Sequence, residues 1–411
     1  MQSERLEMLI EDVAYGGAGI ARVAGQVVFV PHTLPGERVA ARIVQRHARY
    51  ARAEALAVLT PSPRRAAPVC PLAAGAQPPD AMPAGPCPGC QYQHADYALE
   101  LELKQRQFRD LLVRQAGVDP AACLPPVGAP RPMGYRNKVV LHAEPTQPGA
   151  PLGYFAGDNT SIIDVPACPL ALEPINVLLR ELRAGRDRAR GPAGRVLTLR
   201  HTTQDGAVHW YGKAAANAVW LREATRVGMV SAPRGGFFQV NPPVADLLLD
   251  EVSAAIRAVQ PGFVIDLYCG VGVFSLAAAA SGVAAGLGID NDPAAIAAAG
   301  FNARQRGLSG FRFQAAAAEA AIRDALRAAP ASRSLLIVDP PRAGLGKAVR
   351  VAIVAGRPAH VVYVSCAPDT LARDLAEFRA AGYAVRSARL VDMFPRTAYF
   401  ESVCVLEACG G

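Results

Sequence analysis

Four short aliphatic runs in the second half of the chain each stop at a residue able to do chemistry: Val264-Ile-Asp266, Gly286-Leu-Gly-Ile-Asp290, Leu335-Leu-Ile-Val-Asp339 and Val361-Val-Tyr-Val-Ser-Cys366. Such runs, bounded by turn-forming residues, read as short buried strands of a parallel sheet. Ligands of open α/β sheets gather at the carboxyl ends of the strands, and Cys366 stands at such an end. Asp369 or Thr370 is placed to cap a helix beginning near Leu371, which would ease the thiol toward the thiolate. Most free cysteines are simply small buried apolar residues, so this segment by itself leaves both readings open.

Asp266-Leu-Tyr268-Cys-Gly270-Val-Gly272 adds a glycine turn, which lets the backbone approach a ligand closely. Asp290 follows at about the 20-residue spacing at which ribose recognition needs an acid. A dinucleotide cradle wants a third glycine near Phe274 or Ser275, and the sequence lacks it. Acid-x-x-x-Gly-x-Gly resembles instead the first motif of the class I methyltransferases, which use S-adenosylmethionine. The uncharged run Leu267 to Ile289 is long enough to raise a membrane span. Its glycines and the Asp at each flank fit a strand, loop, helix and strand better, so no membrane is expected.

The chain has 411 residues, too many for one typical core, so two or three domains are expected. Leu6 to Val13, Ile20 to Val23, Val27 to Val30, Arg38 to Val44 and Ala51 to Leu59 alternate with glycine turns. They predict five strands of a small barrel of the oligonucleotide-binding type. Tyr15-Gly-Gly-Ala-Gly-Ile-Ala-Arg22, Gly25-Gln-Val-Val-Phe-Val-Pro31 and Leu34-Pro-Gly-Glu37 resemble a TRAM domain, an RNA-binding barrel. Net charge is +8, and Leu179 to Arg234 holds eleven Arg or Lys against four Asp or Glu. With Arg131, Arg136 and Lys138 this is either a nucleic-acid footprint or a solvated basic face. Trp210 and Trp220 in the same section read as core residues rather than stacking platforms.

Nine cysteines, an odd number, and a charged start without the apolar stretch of a signal peptide lead to the expectation of a reducing cytoplasm. Cys87-Pro-Gly-Cys90 puts two thiols on one tight turn. Cys70 precedes the pair, and Cys168, like Cys70, is followed by Pro-Leu; Cys123 competes for the fourth place. Four thiolates would satisfy a [4Fe-4S] cluster, but spacing alone leaves iron–sulfur and zinc comparable. Tyr97 to Gly117 reads as an amphipathic helix. Lys138 to His142, Arg195 to His201 and Val208 to Tyr211 read as strands, and Leu172 to Ala184 as a helix.

Phe237-Phe-Gln239-Val-Asn241, Asp266-Leu-Tyr-Cys-Gly270, Asp339-Pro-Pro-Arg342, Ser365-Cys366 and Met393-Phe-Pro395 with Glu401 occur in the order of the RNA uracil-5-methyltransferase family, which the chain resembles over nearly its whole length. With the TRAM-like start and the cysteines it is similar to the branch that methylates a uridine of 23S ribosomal RNA; tRNA is the second candidate, and a non-catalytic RNA-binding factor a third. The resemblance implies cluster ligands at Cys70, Cys87, Cys90 and Cys168. It implies cofactor contacts from Gln239, Tyr268, Gly270, Asp290 and Asp339. Carbon 5 of uracil is a poor nucleophile until a thiolate adds to carbon 6, which makes Cys366 the expected nucleophile and Glu401 the expected base. Val273 stands in place of the family's Asn, Arg396 in place of its His, and Tyr399-Phe400 is unusual before the base.

The expected architecture is α/β. Residues 1–60 form an OB-like β-barrel, 61–230 a small α+β central domain with the metal-cluster segment and an RNA-facing basic region, and 231–411 a Rossmann-like methyltransferase domain. The protein is expected to act as a monomer.

Overall fold

The computed structural model describes residues 5–76, 85–143, 151–185, 196–212, 220–329 and 333–409. The chain begins with a six-stranded sheet of β1 (Arg5–Leu9), β2 (Asp12–Val13), β3 (Ala18–Val23), β4 (Gln26–Pro31), β5 (Arg38–Arg46) and β6 (Tyr50–Thr60), ordered β1-β5-β6-β4-β3-β2. The expected strand Leu6 to Val13 is two strands. The amide of Ile10 donates to the Glu37 carbonyl at 2.9 Å and that of Glu11 to the Ile20 carbonyl at 2.7 Å, so the chain changes partner there. Alternation with period two sends Met8, Ile10, Val28, Val30, Val39 and Ala51 into a common interior.

Helix α1 (Tyr97–Ala116) matches the expected span. Asp96 caps its first turn by accepting from the Leu99 amide, and Gly117, at φ 61°, closes it in the left-handed conformation. Phe108 and Leu112 of α1 pack into the core of the C-terminal half. Strands β7 (Lys138–Ala143), β8 (Leu152–Phe155), β9 (Ile162–Asp164), β10 (Leu197–Thr202) and β11 (Gly206–Tyr211) form an antiparallel sheet in the order β11-β10-β7-β8-β9. Helix α2 (Glu173–Gly185) covers it with Ile175 and Leu179. The hairpin β12 (Trp220–Thr225) and β13 (Gly228–Pro233) leads into the last sheet.

Much of the basic excess is paired within the chain: Arg180 with Glu173, Arg183 with Asp164, Arg200 with Glu223, Arg222 with Asp205 and Arg226 with Asp250. Arg186, Arg188, Arg190, Arg195 and Lys213 lie outside the described residues. Trp220 packs edge-on against Phe301, and Trp210 lies under the Arg234 guanidinium.

The four chemistry-bearing runs become β14 (Phe263–Leu267), β15 (Ala285–Asp290), β17 (Ser334–Val338) and β18 (His360–Ser365), joined by β16 (Phe311–Ala315), β19 (Tyr383–Val391) and β20 (Glu401–Ala408). The order is β16-β15-β14-β17-β18-β20-β19, parallel except for the reversed β20. Helices α3 (Pro242–Val259) and α4 (Val273–Ala280) pack on one face through Val244, Leu248, Phe274 and Ala277. On the other face lie α6 (Ala318–Ala328), α7 (Lys347–Gly356), α8 (Pro368–Ala380) and α1, through Ile322, Val349, Leu371 and Phe108. Helix α5 (Pro293–Arg304) fills the corner beside β13 with Ala295 and Ala298. No helix among the described residues is long and apolar enough to cross a membrane.

Candidate active site

The strand order reverses direction between β14 and β17, the switch point at which such sheets hold ligands. At the end of β14, Asp266 is fully buried and accepts from the Ser275 amide and hydroxyl at 2.9 and 2.7 Å, which fixes the glycine turn against α4. Its other carboxylate oxygen has no partner among the described residues. Tyr268 and Gly270 both adopt left-handed backbone, at φ 67° and 52°. The Gly270 amide donates to Asp290 Oδ2 at 2.9 Å, joining the turn to the end of β15. Gly288 must remain glycine, because a Cβ there would stand 2.5 Å from the Phe313 ring. Burial raises the Asp266 carboxyl to about 6 and that of Asp339 to about 7, the latter further by Asp266 and Asp290. Gathered carboxyls of this kind favour a cationic ligand.

Cys366 follows β18, and Ser365 pairs with Ser402 across the antiparallel β20. The register therefore puts Glu401, one residue before Ser402, opposite Cys366. Asp339 and Arg342 complete the group. Helix α8 starts at Pro368 rather than Leu371, and Ala367 caps it without a side-chain bond. The expected easing of the thiol is reversed: burial, then Glu401, then Asp339 push Cys366 up to about 11, and Arg342 only partly opposes them. Glu401 is buried, and one of its carboxyl oxygens has no partner among the described residues. Burial and Asp339 hold it well above the ordinary carboxyl range, against the pull of Arg342.

Gln239 is half-buried on the segment before α3. That segment is tied down on both sides: Val240 accepts from the Asn137 amide at 2.8 Å, and Asn241 donates to the Met393 carbonyl at 3.0 Å. Sequence reasoning missed three neighbours of the site, namely Ser275, Arg342 and Glu319, whose charge helps to raise Tyr268. Asp339-Pro-Pro-Arg342 was the available signal for Arg342. Glu319 stands in an alanine-rich run with no local signal of a site.

The loop before Glu401 is held by a buried ion cluster. Lys104, fully buried on α1, donates to Glu100 and Asp392 at 2.7 Å each and to the Phe394 carbonyl at 3.2 Å. Burial alone would lower this ammonium, but Glu100 and Asp392 outweigh it and hold it above its ordinary value. Arg396, at φ 68°, donates its amide to Glu100 and its guanidinium to the Ala95 carbonyl; its own carbonyl accepts from Gln91 and Tyr92. The residue that departs from the family's His thus ties this loop to the cysteine segment. Lys104→Met is expected to destabilise the protein by about 3–5 kcal/mol, since it leaves the buried Asp392 carboxyl without its ammonium partner and Glu100 with Arg396 alone. Urea unfolding followed by circular dichroism checks this; a midpoint like that of the wild type would remove the cluster's structural role.

Cys70, Cys87, Cys90 and Cys168 line one cavity of about 450 Å³, with Arg136, Tyr154 and Gln93 in its wall. Gln93 donates to Cys90 Sγ at 3.2 Å, and half-buried Arg136 keeps its Nε without a partner among the described residues. Burial raises the thiols of Cys70, Cys87 and Cys90, the last to about 12. Cys123 is elsewhere, packed on the C-terminal core beside Cys404. Among the described residues no three His, Cys, Asp or Glu side chains are arranged to hold a single metal ion.

Residues 220–409 match the tRNA (Uracil-5-)-methyltransferase family, and residues 1–56 match the TRAM domain. The chain is 32% identical to the 23S rRNA (uracil(1939)-C(5))-methyltransferase RlmD of Acidithiobacillus ferrooxidans, covering 98% of this chain and 97% of that protein. It is also 32% identical to RlmD of Azoarcus sp., over 97% and 99% of the two chains. An RNA methyltransferase of Gloeobacter violaceus is 32% identical over 99% and 97%. The fold is that of the Pyrococcus abyssi tRNA (uracil-54, C5)-methyltransferase, with a TM-score of 0.72 over 98% of this chain and 100% of that one at 21% identity. With a Rossmann-like sheet, a TRAM barrel and full-length relatives of this kind, the chain belongs to the RNA uracil-5-methyltransferase family and is an RNA (uracil-5-)-methyltransferase.

Proposed function

We propose that this enzyme methylates carbon 5 of one uridine in 23S ribosomal RNA through a covalent bond between Cys366 and carbon 6 of the base. The observation that carries the reading is the register of β18 and β20, which sets the Cys366 thiol against the buried Glu401 carboxyl. Cys366 as thiolate adds to carbon 6, and the resulting enolate makes carbon 5 nucleophilic. S-adenosylmethionine supplies the methyl group from its sulfonium. Glu401 then takes the carbon-5 proton, the carbon–sulfur bond to Cys366 breaks, and the thiolate is restored. Asp290 and Tyr268 would hold the adenosine beside the Gly270 turn, and Asp339 and Gln239 the sulfonium end. The uridine must leave its stack to reach Cys366.

Ribosomal RNA is favoured as substrate by the names of the near-full-length relatives. The same chemistry on tRNA is the second reading, on the name of the matched family. Residues 1–60, 61–230 and 231–411 serve as barrel, central domain and catalytic domain in this reading.

A [4Fe-4S] cluster fits the cysteine cavity: its wall offers four soft thiols, an N–H···S donor from Gln93, and the Arg136 cation, whose Nε has no partner among the described residues, beside what would be an anionic group. Cys70, Cys87, Cys90 and Cys168 would hold it, and through Gln91 and Tyr92 it would brace the loop before Glu401.

Anaerobically purified enzyme is incubated with methyl-labelled S-adenosylmethionine and unmodified transcripts of 23S ribosomal RNA and tRNA, and the label is mapped. Label on carbon 5 of one ribosomal uridine is expected. Label confined to tRNA would move the substrate and keep the chemistry.

A further inference from the structure

Tyr15, in the turn between β2 and β3, belongs to the barrel by sequence but packs on the core of the catalytic sheet. Its ring meets Phe400 edge-to-face at a centroid distance of 6.0 Å, and Phe400 is fully buried immediately before Glu401. The turn is docked on α1: Gln107 donates to the Val13 and Ala14 carbonyls at 2.9 and 3.2 Å, and Arg106 pairs with Asp12. The next aromatic is Tyr399, which is 40% exposed although its neighbours Ala398 and Phe400 are buried. The guanidinium of Arg342, itself exposed, lies 4.2 Å from the Tyr399 ring centre. The Tyr15 hydroxyl lies within the electrostatic reach of Asp369, Tyr399, Arg342 and Cys366 and stays protonated to about 12, first through burial and then through Asp369. A half-open aromatic ring, a planar cation and a phenol donor thus gather near Cys366.

We propose that Tyr399 and Arg342, with Tyr15 reaching over from the barrel, form a stacking subsite for the nucleobase adjoining the target uridine. The proposal rests on the uridine-methylation reading and deepens it. Extruding one base leaves its neighbour with a π-face uncovered. Aromatic rings and Arg guanidinium planes are the groups that stack on such a base, and the Tyr15 hydroxyl can donate to its edge. The barrel is then a wall of the chemical site as well as an anchor for RNA phosphates. Folding alone does not need Tyr399 to be aromatic, because so much of its ring faces solvent.

The test uses the full-length enzyme with S-adenosylmethionine and a stem–loop RNA spanning the uridine that the labelling experiment identifies. Two versions carry 2-aminopurine on the 5′ or the 3′ side of that uridine. Wild-type enzyme is expected to quench one of the two on binding. Tyr399→Leu is expected to lose that quench and to raise KM for RNA about ten- to hundredfold, with a smaller change in kcat, the range that loss of a base–aromatic stack produces. Tyr399→Phe, which keeps the ring, recovers most of both. Tyr15→Phe, which loses only the donor, raises KM a few-fold. A wild-type enzyme that methylates the RNA while Tyr399→Leu matches it in KM and quench overturns the subsite alone. A wild-type enzyme that transfers no methyl group to the RNA, with S-adenosylmethionine bound, overturns the uridine reading and the subsite with it.

Discussion

Cys366→Ala is expected to lower methyl transfer by at least about 10⁴-fold, the order that removing a covalent nucleophile costs. The substitution is small, and Cys366 is only half-buried, so S-adenosylmethionine and RNA affinity should persist. Full transfer by the variant would sink the covalent mechanism. The state of the thiol gives a second readout. Its pKa is raised, so below about 11 the cofactor-free protein holds the neutral thiol, and the thiolate fraction falls tenfold for each unit of lower pH. Alkylation of the Cys366 peptide by iodoacetamide, followed by mass spectrometry, should therefore be slow at pH 7 and rise about tenfold per unit toward pH 11. Arg342→Gln removes the one neighbouring cation that opposes the shift and should slow alkylation further at every pH below that.

That upward shift was the part of the site that the sequence concealed. Val361 to Cys366 reads as a strand ending in a thiol because the β-branched run and the following Pro are local signals. Local signals also predicted a nearby helix N-terminus that would lower the thiol's pKa. Glu401 and Asp339, which reverse that effect, reach Cys366 only because β17, β18 and β20 lie side by side. Sheet order is a long-range property, and no window of residues contains it. The same limit hid Tyr15, far from Cys366 in sequence. It also hid the segment through Val127, which runs along the edge of β19, with the Leu124 and Val127 amides donating to the Ala388 and Leu390 carbonyls. By contrast, α1 was legible to within a residue, because Asp96, Gly117 and the spacing of Leu103, Phe108 and Leu112 state its ends and its buried face locally. The basic segment was legible as charge, but not which charges are consumed in pairs such as Arg200 with the buried Glu223.

Glu401→Gln is expected to cut turnover by about 10²- to 10⁴-fold, the range of a lost general base, while leaving the first chemical step intact. Glutamine has the shape of the carboxyl it replaces, and the backbone pairing of Val391 with Glu401 keeps the position in the sheet. The two substitutions therefore differ in what accumulates. Cys366→Ala should give no protein–RNA adduct. Glu401→Gln should give a methyl-bearing RNA that stays attached to Cys366 through denaturing electrophoresis, because carbon 5 keeps its proton and the thiolate cannot be expelled. The electrostatics of the pocket favour that order of events. Glu401 sits with Asp339, buried, with Arg342 as the cation that opposes the rise. A sulfonium beside Asp339 would add to Arg342 in holding both groups as carboxylates before transfer. Once that positive charge is lost with the methyl group, Glu401 becomes the stronger base at the moment the carbon-5 proton must leave. A Glu401→Gln enzyme that turns over normally, with no adduct at any time point, would assign proton removal to another group. The first to examine would then be Asp339, the half-buried carboxyl whose charge raises Glu401.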